Sequence, residues 1–126
     1  MKFLKTAKYL TGTVLFSFLL TACDSSQILS SKEAFDPTLA SQLQPEDSHL
    51  SAIYNRSCKA CHTIANTGAP LTGDSYSWDS RMDKGMDELL DNVINGFGGM
   101  PPFGMCMDCD PEQFEALITF MAAPAE

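Results

Sequence analysis

The chain has 126 residues, with 16 acidic and 8 basic side chains and a formal net charge of −8. This acidic balance argues against nucleic acid or an anionic membrane surface as a partner, and it favours docking onto a basic surface. The length leaves room for one small folded domain besides any targeting segment.

The first 22 residues are predicted to form an export signal that is removed. Lys2, Lys5 and Lys8 give a positive start, and residues 9–20 follow as an apolar stretch without a charge. Because this stretch is shorter than the roughly 20 residues of a membrane-spanning helix, a cleaved signal is favoured over a retained one. A signal anchor that stays uncleaved is the alternative.

The sequence LTAC, which ends at Cys23, resembles the bacterial lipobox. In that motif the cysteine thiol receives a diacylglycerol and the preceding peptide is cleaved, so Cys23 is the expected lipidation site and new N-terminus. Cleavage there would leave 104 residues with 5 basic and 16 acidic side chains, and so a net charge of −11. Asp24 resembles a retention signal of enteric bacteria and favours the periplasmic face of the inner membrane.

Residues 23–47 are interpreted as the lipidated N-terminus followed by a flexible tether, because they are rich in Ser, Asp, Gln and Pro. The folded domain is then expected at residues 48–126. A core of side chains alone is marginal at that size, so a bridge, a metal or a prosthetic group is expected to help hold the domain together.

Two helices are predicted in the first part of this domain. One is capped by Asp47 or Ser48 and runs into Cys58. The other has apolar side chains at i, i+3, i+4, i+7 and i+8, and Gly96 is placed to end it. The apolar side chains of this second helix are Met86, Leu89, Leu90, Val93 and Ile94.

A third helix is predicted to start at Asp110. Pro111 follows at the first helical position, and Gln113 stands where the partner of a capping box belongs. Between the helices the chain is rich in Gly and Pro and shows no alternating apolar pattern, so strands are not expected. The predicted class is all-α, with about three main helices and long loops.

The segment CKACH, residues 58–62, carries the strongest chemical signal. Cys-x-x-Cys-His is the attachment sequence of c-type haem. Cys58 and Cys61, three residues apart on a helical turn, are placed to form thioethers with the two haem vinyl groups. His62 would then lie beneath the iron as its proximal ligand. An export signal favours this interpretation, because c-type haem is attached outside the cytoplasm.

Two other uses of these thiols are possible. A thioredoxin-like pair is expected in a βαβ context, which this sequence lacks. A zinc site would need two further ligands, and Cys106 and Cys109 could supply them to make a site of four thiolates.

Met100 is the candidate for the sixth iron ligand. It lies in GFGGMPP, where glycines allow the backbone to approach the ring and two prolines stiffen the loop. A thioether binds iron without deprotonation, and Met ligation raises the reduction potential.

The other methionines of the domain are weaker candidates. Met86 and Met121 lie on apolar helix faces and are expected in the core. Met82, Met105 and Met107 are possible ligands that lack a comparable loop. The second histidine, His49, is expected to be exposed.

Residues 50–122 resemble the class I cytochromes c, and within them the cytochrome c5 group. The resemblance rests on IYNRSCKACH, GAP at residues 68–70, GD at 73–74, WDSR from residue 78, GMDELL, GGMPP and CMDC. The last is the most telling, since a Cys-x-x-Cys pair after the methionine loop marks that group, in which it forms a disulfide.

The resemblance implies a small class I cytochrome c fold around one covalent haem c. It implies thioethers at Cys58 and Cys61, iron ligands His62 and Met100, and a disulfide between Cys106 and Cys109. Together with lipid on Cys23, these assignments use all five cysteines. Trp78 and Arg81 are candidates to lie by the haem propionates, with a core aromatic and a surface ion as the alternatives.

The function implied is outer-sphere electron transfer, not enzymatic catalysis, because two protein ligands leave iron no open site. A lipid-anchored monomer would exchange single electrons with partners such as a quinol-oxidising complex, a terminal oxidase or a reductase. A haem subunit of a larger redox complex is the alternative, as is a haem peroxidase or gas sensor if Met100 is displaceable.

Overall fold

The computed structural model of the protein describes residues 34–125. The predicted export signal, Cys23 and the first part of the predicted tether lie outside this range. Residues 34–125 form an all-α fold without a strand, as the sequence predicts. In this part of the chain no helix is both long and apolar enough to cross a membrane.

Residues 34–47 are packed against the domain, although the sequence suggests a flexible tether there. Pro37–Ala40 forms a short helix, α1, capped by the side chain of Asp36. Ala40 is fully buried, and the side chain of Gln44 hydrogen-bonds to Asn55. The packed part of the chain therefore begins before residue 48, the predicted start of the domain.

The predicted first helix is present, in three consecutive parts. Helix α2 spans Ser48–Ile53 and is capped by the Asp47 side chain, which accepts from the backbone N–H of Leu50 at 2.8 Å. Tyr54–Cys58 then winds as a π-helix, and Lys59–His62 returns to an α-helix, α3. Single π-helical turns are frequent at functional sites, and this one leads directly into the CKACH segment.

Helix α4, Ser75–Met82, is not predicted by the apolar pattern. Asp74 caps it by accepting from the backbone of Ser77, and Trp78 is its only buried side chain within this helix. One buried residue does not make a periodic stripe. The helix therefore lacks the signal on which the other assignments depend.

The other two predicted helices are confirmed. Helix α5 spans Met86–Asn95 and ends at Gly96, whose φ of 82° suits a residue without a Cβ atom. Helix α6 spans Pro111–Ala122, and the Asp110 and Gln113 side chains form the predicted capping box. This double cap accounts for the sharp start of α6.

The core lies where α6 packs against α2, the π-helical turn, α4 and α5. The rings of Tyr54 and Phe120 meet edge to face, with centroids 5.2 Å apart and an interplanar angle of 81°. Tyr54 is fully buried, and its hydroxyl shares a 2.9 Å hydrogen bond with the buried Thr72 hydroxyl. The buried apolar side chains of this core include Ile53, Trp78, Leu89, Val93, Phe114, Leu117, Ile118 and Met121.

Candidate haem site

A cavity of about 480 Å³ opens between the CKACH segment, helices α4 to α6 and residues 97–105. One wall is apolar. A second wall is the loop that carries Met100, and a third carries the side chains of Cys58, Cys61 and His62. The apolar wall is made by Leu89, Val93, Phe114, Leu117 and Ile118.

Both cysteines of the CKACH segment are free thiols that line this cavity. Cys61 is exposed, whereas burial raises the pKa of the Cys58 thiol to about 11. The four-thiolate zinc site is not assembled, because Cys106 and Cys109 are joined in a disulfide and neither lines the cavity. Within residues 34–125, Cys106, Asp108 and Cys109 are close enough together to hold a metal ion. The disulfide between the two cysteines leaves them no free thiolate for this.

His62 is held in one orientation at the base of the cavity. Its Nδ1 atom donates a 2.8 Å hydrogen bond to the backbone carbonyl of Pro70, and its ring stacks on Trp78 with centroids 5.7 Å apart. Burial lowers the pKa of His62, although the hydrogen bond to Pro70 opposes this shift. The ring is therefore neutral at pH 7, and Nε2 carries the lone pair that a metal requires.

The loop that carries Met100 is a tight turn. Phe97 and Met100 exchange two backbone hydrogen bonds, at 3.1 and 3.0 Å. A Cβ atom on Gly96 would lie 2.9 Å from the Met100 carbonyl oxygen, and a Cβ atom on Gly104 would lie 3.1 Å from the Met100 Cε. Glycine at these two positions makes room for the backbone and the thioether of Met100, which lines the cavity.

The remaining methionines of the domain differ in exposure and in whether they line the cavity. Met107 and Met82 are exposed and do not line the cavity, while Met105 lines its rim with 64% of its surface exposed. Met121 is buried in the core, as predicted, and forms part of the cavity wall. Met86 is partly buried against the same core.

Ser57 contributes a buried oxygen that the sequence gives no reason to single out. The residue is 7% exposed and lines the cavity, and its Oγ has no hydrogen-bond partner. A buried polar atom without a partner is uncommon in a complete protein interior. An apolar cavity of this size, with two thiols, one imidazole and this orphan oxygen on its walls, fits a flat prosthetic group held covalently.

Among the residues 34–125 that line the cavity, Arg81 and Lys84 are cationic and none is anionic. Arg81, on α4, donates to the backbone carbonyl of Ser77 and faces the cavity together with Lys84. Trp78 is a core aromatic whose indole N–H donates to the carbonyl of Leu71 at 2.9 Å. The cations are notable because the whole chain is strongly acidic.

The Cys106–Cys109 disulfide lies outside the cavity, next to the π-helical turn. The Arg56 guanidinium contacts the Cys106 sulfur at 3.2 Å and the Asp108 carboxylate at 2.9 Å. His49 is exposed, as predicted, and its ring contacts the Gln113 side chain at 3.0 Å.

Sequence reasoning missed the roles of Ser57, Lys84 and Arg56. The contact of Arg56 joins residues 50 positions apart, and no local pattern predicts it.

Comparison with known proteins agrees with this geometry. Residues 45–121 match the family model described as cytochrome C oxidase, cbb3-type, subunit III. Cytochrome c5 of Azotobacter vinelandii is 40% identical over 67 residues, which are 52% of this chain and 81% of that protein. Cytochrome c-555 of Prosthecochloris aestuarii is 27% identical over 77 residues, which are 55% of this chain and 78% of that protein.

Two solved structures are similar in both sequence and fold. A mono-heme ferrocytochrome c from Shewanella putrefaciens is 39% identical, with a TM-score of 0.54 over 65% of this chain and 99% of that one. A chain from the crystal structure of an electron transfer complex of nitrite reductase with cytochrome c is 32% identical. Its TM-score is 0.53 over 60% of this chain and 93% of that chain.

Proposed function

Because this chain belongs to the class I c-type cytochromes, we propose that it is a membrane-anchored periplasmic carrier of single electrons between respiratory redox proteins. Its relatives are electron-transfer cytochromes, not enzymes, and electron transfer is the function of this chain as well. The anchor, the compartment and the partners are proposed in addition to electron transfer. The electron-transfer role rests on one observation, namely that Cys58, Cys61, His62 and Met100 line the same cavity.

The chain binds a covalently attached haem c, for which CKACH is the attachment sequence. When bound, the haem supplies an iron that alternates between the ferrous and ferric states. We assign the two thioether bonds to Cys58 and Cys61. Both thiols line the cavity and neither is paired.

His62 and Met100 are the proposed iron ligands. The Pro70 carbonyl fixes the His62 tautomer, so that Nε2 is the nitrogen without a hydrogen. Met100 is supported by its tight turn and by the space that Gly104 leaves for its methyl group. His62 and Met100 would hold the iron through side chains that are already fixed in place, and electron transfer would then require little rearrangement of these two side chains.

Arg81 and Lys84 are suited to hold the two propionate carboxylates of the haem. They are the charged side chains of the cavity wall and both are cationic. A buried carboxylate is strongly disfavoured unless it is paired. Lys84 also forms a 3.0 Å ion pair with Glu88, so it would be shared between Glu88 and a propionate, whereas Arg81 would pair with a propionate directly.

The anchor and the compartment rest on the N-terminal sequence. The segment LTAC and the lysines that precede it support lipid on Cys23 and export to the periplasm, and Asp24 favours the inner membrane. A monomeric domain tethered in this way would meet partners fixed in the same membrane, such as a quinol-oxidising complex, a terminal oxidase or a reductase.

A redox partner with a basic docking surface fits the charge of this chain. The solved complex of a similar cytochrome with nitrite reductase favours a reductase as one such partner. Electrostatic steering between an acidic carrier and a basic partner gives association rates that fall as salt rises.

A permanent place in a larger redox complex is the second candidate. The description of the matching family model, an oxidase subunit, favours it. Solubilisation of the membranes in mild detergent, followed by size-exclusion chromatography, distinguishes the two. A free carrier elutes as a small haem protein, whereas a subunit elutes with its oxidase.

The experiment for the carrier role uses the full chain purified from membranes and a purified membrane oxidase. Oxidation of the ferrous chain is followed by stopped-flow absorbance over a range of salt concentrations. A second-order rate that decreases with salt supports a freely docking acidic carrier. A rate that is independent of both salt and protein concentration contradicts it. Replacement of Cys23 by Ser provides the matched control for anchoring, because that chain is expected in the soluble fraction.

A further inference from the structure

The Cys106–Cys109 disulfide presents its two sulfurs unequally. Cys106 is 1% exposed and belongs to the core, whereas Cys109 is only partly buried. Neither residue lines the haem cavity. An attacking thiolate must approach one sulfur in line with the bond that breaks, and Cys109 is the more exposed of the two residues.

The buried sulfur is the one that has a cation beside it. Nη2 of Arg56 lies 3.2 Å from Sγ of Cys106. A guanidinium at that distance stabilises a thiolate and lowers the pKa of the thiol that it contacts. Because a thiol of lower pKa is a better leaving group, the position of Arg56 favours departure of Cys106 when Cys109 is attacked.

We propose that Cys106–Cys109 is a thiol–disulfide exchange site whose substrate is a protein dithiol. A thiolate of the dithiol attacks Sγ of Cys109, the bond between the two cysteine sulfurs breaks, and its electron pair goes to Sγ of Cys106. The second thiol of the partner then attacks the mixed disulfide and releases Cys109. The partner is oxidised to a disulfide, and its two electrons and two protons reduce the cysteine pair.

Asp108 acts against this reaction. Its Oδ1 lies 3.5 Å from the Cys106 sulfur, and its Oδ2 accepts from Arg56 at 2.9 Å. The hydrogen bond from Arg56 lowers the pKa of Asp108, so this carboxylate is ionised at neutral pH. An anion so close to the leaving sulfur opposes the second negative charge. Arg56 is therefore expected to raise the rate of exchange, and Asp108 to lower it.

The surroundings of the disulfide also indicate the kind of dithiol. Asp108, Asp110 and Glu112 are exposed carboxylates on or next to the disulfide loop. A dithiol displayed on a basic protein surface fits such an acidic rim. This activity is separate from electron carriage by the haem, since it transfers two electrons at another site.

The test uses the full holoprotein with its iron first reduced by ascorbate, so that the haem does not consume thiol. Dithiothreitol is added, samples are quenched with an alkylating reagent, and alkylation of Cys106 and Cys109 is followed by peptide mass spectrometry. We expect complete alkylation without denaturant. Arg56→Gln should slow the reaction about three- to tenfold, and Asp108→Asn should accelerate it by a similar factor.

Matched variants separate a local charge effect from a change in net charge. Lys59→Gln removes a cation from the same helical stretch, and Asp79→Asn removes an exposed anion from α4. Both should react within about twofold of the parent rate, and Arg56→Lys should recover most of the rate lost in Arg56→Gln. The haem absorbance spectrum of every variant provides the check on folding.

The attacked sulfur is identified with a monothiol. Glutathione should form a mixed disulfide on Cys109 and leave Cys106 free for alkylation. Three results would overturn the proposal: no alkylation of the pair until denaturant is added, equal rates for Arg56→Gln and Lys59→Gln, or glutathione found on Cys106.

Discussion

The Nδ1 atom of His62 donates a hydrogen bond of 2.8 Å to the backbone carbonyl of Pro70, eight residues further along the chain. The bond fixes the tautomer, and the stacked ring of Trp78 restrains the plane of the imidazole. A neutral, oriented imidazole is in place without any movement of the chain. The loop that follows the CKACH segment therefore supplies the hydrogen-bond acceptor that orients His62, which the segment itself does not contain.

Replacement of Met100 by Ala should abolish the weak far-red absorption of Met-ligated ferric haem. The reduction potential should fall by on the order of 100 mV or more, because the thioether favours the ferrous state. Carbon monoxide should then bind to the reduced protein at neutral pH. Met107→Ala, which removes an exposed thioether, is the control and should leave all three properties unchanged. Loss of the band in Met107→Ala instead would refute the assignment of Met100.

Replacement of both Cys58 and Cys61 by Ala should leave a chain that does not fold. Apolar porphyrin surface contributes about 25 cal/mol per Å² when it is buried, and without it the wide cavity would be exposed to water. Circular dichroism of the purified variant should show no cooperative thermal transition. A cooperative transition close to that of the holoprotein would contradict the expected dependence of the fold on haem.

Tyr54→Phe should lower the free energy of unfolding by about 1–3 kcal/mol, because the buried Thr72 hydroxyl loses its partner. Thr72→Val should have a cost of the same size for the converse reason. The double variant should be more stable than the sum of the two losses implies, since neither polar group is then left unpaired. Denaturant titrations of the four proteins measure this coupling, and strict additivity would show that the hydrogen bond contributes nothing.

The same hydroxyl should make stability fall in alkali. Burial is the largest cause that raises the pKa of Tyr54 above its ordinary value of 10.0, and the hydrogen bond to Thr72 opposes the shift. Since the folded pKa is the higher one, the contribution is complete below about pH 10 and is lost as the pH rises through the folded pKa. Unfolding free energies of the parent and of Tyr54→Phe, compared on both sides of pH 10, should converge in alkali. A constant difference would contradict this.

Gly96→Ala should disturb the loop of Met100. Gly96 has φ 82° and ψ 152°, a backbone conformation that costs a residue with a Cβ atom about 1–3 kcal/mol, and here the Cβ would also press on the Met100 carbonyl oxygen at 2.9 Å. Gly85→Ala is the matched control, with a similar φ of 91° and nothing within 4 Å of the added atom. Both variants should lose stability, but only Gly96→Ala should weaken the far-red band. A far-red band of equal intensity in the two variants would show that the contact with the Met100 carbonyl oxygen does not affect this loop.

Sequence reasoning succeeds in this protein where the determinants are local. The capping box of Asp110 and Gln113 spans four residues, and the apolar face of α5 lies within one helix, so both could be predicted. The CKACH segment is also local, because its chemistry requires two thiols and an imidazole on one turn.

The failures have physical causes of two kinds. Helix α4 buries a single side chain, Trp78, and so has no periodic pattern. The packing of residues 34–47 and the contact of Arg56 with Cys106 depend on which surfaces meet after the chain has folded. Partners 50 residues apart leave no mark in a single sequence.

The most direct test of the central claim is a pair of spectra of the holoprotein. The pyridine haemochrome spectrum reports covalent haem, and the far-red region of the ferric protein reports the axial ligands. We predict one c-type haem per chain, together with a far-red thioether band that disappears in Met100→Ala. A chain that matures without covalent haem, or a haem whose far-red band survives in Met100→Ala, would contradict the account.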